Sequence, residues 1–186
     1  TFSGSLTGMA AGSATITYTL FPSGCYAVHP VTVSPSPTAI IGSSSVCAGL
    51  TTTLSDAVAG GSWSSTNTAA ATVGSGSGIV SGVAAGTATI SYSMSGLCAF
   101  SKTLTVYPRS PITAGSTTIC VAATVALTDA TTGGTWSSSL TSVATVSGAG
   151  IVTGVATGTT TITYMLLSGC SATLVIAVSP SPSAIS

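Results

Sequence analysis

The sequence predicts an all-β protein built from tandem modules, and three observations support this fold class. Strand-forming residues dominate, while Glu and Gln are absent and Lys and Arg total 2. Apolar residues alternate with polar ones with a period of two, as at Ile90, Tyr92 and Met94, which is typical of half-buried strands. Turn-forming glycines (22) and prolines (8) interrupt these strands, and long segments of the chain recur.

The recurring segments lie about 73 residues apart. Residues 60–65 (GGSWSS) return as 133–138 (GGTWSS), and 78–86 (GIVSGVAAG) return as 150–158 (GIVTGVATG). A third, incomplete copy comes first, since residues 6–18 (LTGMAAGSATITY) match the second half of the later copies. A fixed period of this size indicates repeated structural units.

The repeat divides the chain into four parts, and we expect a processed or partial product cut from a longer array. The N-terminal Thr1 opens directly in strand-like sequence without a visible signal peptide. Proline-containing linkers, 34–37 (SPSP) and 108–111 (PRSP), favour stiff, extended connections. The predicted parts are residues 1–36, the C-terminal half of a truncated module; 37–110 and 111–180, two complete modules; and 181–186, the linker or first strand of a following module.

Each complete module contains seven short predicted strands, a number typical of an immunoglobulin-like sandwich. We expect Trp63 and Trp136 on the third strand, and Tyr18, Tyr92 and Tyr164 on the sixth, to lie in the cores. In the first complete module the predicted strands are 39–47 (A), 50–55 (B), 61–65 (C), 70–73 (D), 78–83 (E), 87–94 (F) and 99–107 (G).

The composition argues against several classes of partner. Only Lys102, Arg109, Asp56 and Asp129 are charged at neutral pH, so no basic surface for nucleic acid is predicted. No apolar run reaches the length of a membrane-spanning helix. Because interspersed charges normally keep proteins apart, we expect self-association into homopolymeric filaments or bundled arrays.

The sequence predicts no catalytic residue, cofactor or metal site. A hydrolytic nucleophile needs a neighbouring base, and the one histidine, His29, has no counterpart in the other modules. Asp56 and Asp129 are equivalent residues at the end of strand B, where a turn-forming role is expected. A calcium site would need several converging oxygen ligands.

Threonines alternate along the predicted F strands and place rows of hydroxyls on one sheet face. Such rows could order water, as on an ice-binding surface, or interdigitate with a neighbouring chain. The simpler interpretation is the solvent side of a strand. The rows are Thr15 and Thr17; Thr87 and Thr89; and Thr159, Thr161 and Thr163.

Four ordered motifs at matched spacing resemble the bacterial Ig-like domain group 2 family. They are GGSWSS or GGTWSS, ATV at 71–73 and 144–146, GIVxGVAxG, and TxTIxY. The resemblance covers essentially the whole chain. It implies the stalks and repeat arrays of bacterial surface proteins, including intimin- and invasin-like adhesins, and no catalytic residues. The version with two cysteines per module resembles long secreted proteins of Bacteroidota, which implies export and surface attachment.

Five cysteines indicate disulfides rather than a metal site, since no CxxC or Cys/His cluster occurs. Cys47 and Cys120 follow strand A, Cys98 and Cys170 lie in the F–G turn, and Cys25 is the F–G cysteine of the truncated module. Strand directions place the A–B and F–G turns at opposite poles of a module, about 20 Å apart. A disulfide spans a Cα separation of only about 4.4 to 6.8 Å.

The A–B turn of one module should face the F–G turn of the next. The favoured pair is therefore Cys47 with Cys170, between modules, while Cys25, Cys98 and Cys120 pair with residues outside this chain. The alternative is one bond within each module, Cys47 with Cys98 and Cys120 with Cys170.

Taken as a whole, the sequence predicts a structural extracellular repeat protein rather than an enzyme. It would form a rigid, disulfide-stabilised stalk or filament on a bacterial surface. The alternative is an adhesin-type module that recognises a surface glycan or a receptor, with an ice-binding threonine face as a weaker possibility.

Overall fold

The computed structural model describes residues 4–94 and 98–181, and the regular elements within them are all β-strands. The all-β prediction is confirmed. The chain folds into two compact units: Thr1–Val46 with Leu50–Val106, and Cys47–Gly49 with Tyr107–Ser186. Within the described residues, no helix is long and apolar enough to span a membrane.

The first unit begins with a two-stranded antiparallel hairpin. Its strands are β1 (Gly12–Thr19) and β2 (Tyr26–Val33), and their register runs from Gly12 opposite Val33 to Thr19 opposite Tyr26. Every side chain of β1 is exposed. Tyr18, predicted to be a core residue, is 50% exposed, because no second sheet covers this hairpin within the described residues.

Seven further strands form two sheets in the order β3-β9-β8-β5 and β4-β7-β6. The observed strands that correspond to the predicted B to G begin and end within two residues of the predicted bounds. The seven are β3 (Ser45–Cys47), β4 (Thr51–Thr53), β5 (Ser62–Ser65), β6 (Ala71–Val73), β7 (Ile79–Gly82), β8 (Gly86–Met94) and β9 (Cys98–Tyr107).

Strand A differs from the prediction, because it is divided between the two sheets. Ile41 bridges to Ser55, after which the chain joins the other sheet as β3, next to β9. Gly42 lies at this change of sheet with φ of 120°, a conformation that side chains disfavour. A Cβ atom at Gly42 would lie 2.6 Å from the carbonyl oxygen of Thr53, so only glycine fits.

The second unit repeats this arrangement with its strand A also divided. Its sheets have the orders β10-β12-β15-β14 and β11-β17-β16-β13, and β11 runs parallel to β17. The strands are β10 (Thr113–Ala114), β11 (Thr118–Cys120), β12 (Thr124–Thr128), β13 (Gly134–Ser138), β14 (Ala144–Val146), β15 (Ile151–Gly154), β16 (Gly158–Leu166) and β17 (Ser171–Ser179). The predicted start of a following module, 181–186, lies outside the described residues beyond Ser181.

Each pair of sheets encloses a core of alternating strand residues. Leu54, Ile90 and Leu104 are fully buried in the first unit, and Ile162 and Ile176 in the second. Burial of one such side chain contributes about 1.5–3 kcal/mol. Trp63, Tyr92 and Tyr164 are also buried, whereas Trp136 is partly buried against its core.

Candidate functional site

A disulfide joins Cys47 to Cys170, across 123 residues of sequence. The Cα atoms lie 5.7 Å apart, within the range that a disulfide requires. Cys47 is the last residue of β3, and Cys170 directly precedes β17 and is 1% exposed. The segment Cys47–Gly49 belongs to the second unit. The residues on both sides of it, up to Val46 and from Leu50 onward, belong to the first unit.

Hydrogen bonds of the second unit hold the segments that carry this disulfide. The amide of Ala48 donates to the carbonyl oxygen of Tyr107 at 2.9 Å, and Nε of Arg109 donates to the carbonyl oxygen of Ser171 at 2.7 Å. Arg109 itself lies in the linker of residues 108–111, so its hydrogen bond fastens this linker to Ser171, the residue that follows Cys170. The sequence did not identify this role, because the acceptor is a main-chain oxygen 62 residues away.

The two bonds within modules are not formed. In the second unit, Cys120 lies opposite Ser179, at the C-terminal end of β17, whereas Cys170 precedes the first residue of that strand. Nine residues of extended strand span about 30 Å, several times the reach of a disulfide. Cys98 likewise begins β9, while the segment after Cys47 is bonded to Tyr107 at the other end of β9.

Three cysteines are free within the described residues: Cys25, which is exposed, and Cys98 and Cys120, which are partly buried. Their positions in the fold repeat those of the bonded pair. Cys120 ends β11 as Cys47 ends β3, and Cys98 begins the G strand near the position of Cys170.

A tryptophan, a tyrosine and two glycines form a second repeated cluster. The rings of Trp63 and Tyr92 have centroids 4.6 Å apart at 42°, and the hydroxyl of Tyr92 donates to the carbonyl oxygen of Val58 at 2.8 Å. The same hydroxyl accepts the amide hydrogen of Gly61 at 2.8 Å. A Cβ atom at Gly61 would lie 2.5 Å from Cζ of Tyr92, so the glycine is required for the tyrosine to enter.

The second unit reproduces this cluster. Trp136 and Tyr164 have ring centroids 4.6 Å apart, and Gly134 donates to the Tyr164 hydroxyl at 2.8 Å. Gly150, with φ of 79°, closes the cluster, since its Cβ would lie 3.1 Å from Cε2 of Trp136. Sequence reasoning placed the aromatic residues but not the glycines, although both glycines belong to the recurring motifs.

The other polar residues that the sequence singled out lie apart. His29 is exposed in β2, and Asp56 and Asp129 each accept a main-chain N–H two residues ahead, from Val58 at 2.8 Å and Thr131 at 2.7 Å. Within residues 4–94 and 98–181, no group of three His, Cys, Asp or Glu side chains could hold a metal ion.

In β8 and β16 the threonine rows occupy the strand face opposite the buried core, whereas Thr15 and Thr17 lie on β1, whose side chains are all exposed. Thr15, Thr17, Thr87 and Thr159 are exposed. The remaining members, Thr89, Thr161 and Thr163, are partly buried.

The family model of the bacterial Ig-like domain (group 2) matches residues 27–95 and 100–176, which is more than half of the chain. No curated protein matches the sequence.

Solved structures share the Ig-like fold. One is a C-terminal 282-residue fragment of intimin, in complex with the intimin-binding domain of the translocated intimin receptor. It is 20% identical with a TM-score of 0.50, and the match covers 77% of this chain and 64% of that fragment. Another is invasin, a bacterial integrin-binding protein, at 18% identity and a TM-score of 0.51, covering 91% of this chain and 46% of invasin. The chain thus spans less than two thirds of either structure.

Proposed function

Because the chain belongs to the bacterial Ig-like domain (group 2) family, we propose that it is a structural segment of an extracellular repeat protein. Its modules would form a rigid, disulfide-stabilised stalk or filament on a bacterial surface. The boundaries that we propose for the modules are 1–36 for a partial module, 37–110 and 111–180 for complete ones, and 181–186 for the start of another.

The Cys47–Cys170 disulfide carries this proposal. Cys47 follows directly on Val46 of the first unit, and Cys170 leads into β17 of the second. Tension applied to the two ends of the chain would pass through this covalent bond. The residues between Cys47 and Cys170 would then be protected from forced unfolding, which suits a stalk better than a transient signalling module.

An extracellular location is consistent with the same bond. Disulfides persist in oxidising environments and are rare in reducing ones. The chain also carries only two positively and two negatively charged residues. So little charge is unusual for a protein of the crowded cytoplasm, because net charge limits association between proteins there. We propose no catalytic role, because the features that both units share, the tryptophan–tyrosine cluster and the buried strand residues, serve packing.

We expect the three free cysteines to form the same kind of bond with neighbouring modules. With the proposed module boundaries, the Cys47–Cys170 bond would join the last residue of a divided strand A to the residue that precedes strand G of the next module. By this rule Cys120 would bond a strand G cysteine of a following module. Cys98 and Cys25 would bond strand A cysteines of preceding ones.

Self-association is the partner interaction that we propose. The exposed strand faces bear mainly serine and threonine hydroxyls, which both donate and accept hydrogen bonds, and charges that would oppose contact between copies are few. Electron microscopy of the purified chain should show bundles or fibres. Monodisperse particles at all concentrations would favour an isolated stalk instead.

Single-molecule stretching tests the structural role. With the disulfide intact, force on the termini can extend only the residues outside 47–170. Reduction should therefore release about 400 Å of additional length, at roughly 3.3–3.6 Å per residue. The Cys47→Ser/Cys170→Ser double variant should show this length without reductant. Equal extension of the oxidised chain and of the double variant would contradict the proposal.

A second candidate function is glycan or receptor binding. A cavity of about 250 Å³ in the first unit is lined partly by Asp56, Gly61, Trp63 and Tyr92, and the related intimin and invasin structures belong to receptor-binding proteins. Trp63 is only 7% exposed, however, and offers little aromatic surface to a sugar. Binding on a glycan array that Trp63→Ala abolishes would favour this function, whereas blank arrays would leave the structural role.

A further inference from the structure

Residues 37–46 are the part of the first complete module that would carry tension. By the proposed function, on which this inference rests, force enters the module at Pro37 and leaves it at Cys47 through the bond to Cys170. Residues 48–169 lie off this path. We call residues 37–46 the entry strand; it is strand A of the first unit and includes the first two residues of β3.

Main-chain hydrogen bonds hold the entry strand to both sheets of the first unit. Ile41 and Ser55, which follows β4, exchange two bonds of 2.9 and 3.0 Å. Further along, the amide of Thr105 in β9 donates to the carbonyl oxygen of Ser44 at 2.9 Å. Because the entry strand is divided in this way, neither sheet holds its whole length.

Two charged side chains add bonds to the main chain of the entry strand, one from each sheet. Lys102, in β9, donates from Nζ to the carbonyl oxygens of Ile40, at 3.3 Å, and of Gly42. Asp56, which follows β4, accepts the amide hydrogen of Thr38 at 2.9 Å and its hydroxyl hydrogen at 3.1 Å. Hydrogen bonds to charged groups are roughly twice as strong as neutral ones. Lys102 and Asp56 together therefore form a latch on the entry strand.

Within the described residues, the second unit has no such latch. Leu174 occupies the position of Lys102 in the strand register. Asp129, the equivalent of Asp56, accepts a hydrogen bond only from Thr131, in its own turn. Strand A of this unit also lies among the residues that the disulfide removes from the path of tension. The charged bonds thus occur on the strand A that would carry tension and not on the one that would be shielded.

We propose that the entry strand is a strap that detaches under tension, and that Lys102 and Asp56 determine the force at which it detaches. Detachment would lengthen the chain by a short, fixed amount, because it stops where the disulfide takes the load at Cys47. The fully buried Ile90 and Leu104 lie off the path and would stay packed. The strap would bind again when tension falls, since both sheets that receive it remain folded.

Amide hydrogen exchange of the oxidised 1–186 chain measures the latch without force. Lys102→Leu introduces the residue type that the second unit already carries at this position, so the module should still fold. It should speed exchange of the Ile41 and Thr105 amides, which bond across the edges of the entry strand, by about fivefold through local opening. Exchange in β8 should not change. Unchanged exchange at Ile41 and Thr105, or an equal rise in β8, would overturn the inference.

The two equivalent aspartates supply a matched pair of variants. Asp56→Asn keeps an oxygen that can accept the amide hydrogen of Val58 but removes the acceptor of the Thr38 amide. Exchange at Ile41 should therefore rise. Asp129→Asn makes the same chemical change in the second unit and should leave exchange in β10 unaffected. A response at Ile41 no larger than the response in β10 would overturn the role that we assign to Asp56.

Single-molecule stretching of the oxidised chain tests the mechanical claim. Lys102→Leu and Asp56→Asn should each lower the force of the step at which the entry strand detaches, whereas Asp129→Asn should not. Identical force profiles for the parent chain and both latch variants would overturn the inference. The length released on reduction reports on the proposed function separately. If that length is released but the variants have no effect, the inference fails and the proposed function stands.

Discussion

The main-chain N–H of Gly61 donates a 2.8 Å hydrogen bond to the hydroxyl of Tyr92, 31 residues later in the chain. Gly134 and Tyr164 form the same bond in the second unit. This contact explains why two glycines precede each tryptophan of the repeat. The first turns the chain with positive φ, 95° at Gly60 and 88° at Gly133, and the second makes room for the tyrosine ring.

Replacement of the second glycine should therefore destabilise a module. Gly61→Ala places a methyl group 2.5 Å from Cζ of Tyr92, and crowding of this kind costs about 1–3 kcal/mol. The measurement is chemical denaturation of the variant and of the parent chain. Gly76→Ala is the matched control, since nothing lies within 4 Å of its Cβ, and it should change stability by less than about 0.5 kcal/mol. Equal effects of the two would refute the steric role of Gly61.

Loss of the tyrosine hydroxyl should also be costly. Tyr92→Phe leaves the partly buried amide of Gly61 and the partly buried carbonyl of Val58 without their partner, and the loss of such a hydrogen bond costs about 0.5–1.5 kcal/mol. Thermal and chemical unfolding measure the change. Tyr26→Phe, at a residue that is 71% exposed, is the control and should be neutral.

A buried threonine has a similar role in the second unit. Thr160 is 3% exposed, and its hydroxyl accepts the amide hydrogen of Leu140 at 3.0 Å and contacts Oγ of Ser138 at 3.0 Å. Thr160→Val keeps the volume but removes these bonds, and it should lower the free energy of unfolding by about 1–3 kcal/mol. Thr161→Val, on the outer face, should have little effect. A neutral Thr160→Val would mean that the hydroxyl does not organise this turn.

Reduction of the disulfide should destabilise the folded chain. The bond closes a separation of 123 residues, and the loss of chain entropy on closing such a loop corresponds to at most about 5 kcal/mol. Unfolding with and without reductant measures the difference. In the Cys47→Ser/Cys170→Ser variant reductant should change nothing, and Cys25→Ser should behave as the parent chain.

Much of the fold could be predicted from the sequence because its alternation is regular. Ile90, Tyr92 and Met94 are buried and the residues between them are not fully buried, as a half-buried strand requires. The division of strand A could not be predicted, because no common local signal marks it: a Cβ at Gly42 would contact Thr53 in the first unit, whereas one at the equivalent Gly115 would meet nothing within 4 Å. The exposure of Tyr18 could not be predicted either, because its sequence motif is the same as that of the buried Tyr92. The two tyrosines differ only in the strands that cover them.

The site was partly predictable for a similar reason. The cysteines and tryptophans stand out in the sequence because they are rare and recur. The role of Arg109 depends on a main-chain acceptor, the carbonyl oxygen of Ser171, which any residue could supply. Sequence patterns carry no information about such an acceptor.

The most direct test is non-reducing peptide mapping of the cysteines in native material by mass spectrometry. We predict a peptide pair that contains Cys47 and Cys170, together with bonds from Cys120, Cys98 and Cys25 to other modules. Linkage of Cys47 to Cys98 and of Cys120 to Cys170 would contradict the central proposal and would mean that the modules are stabilised independently.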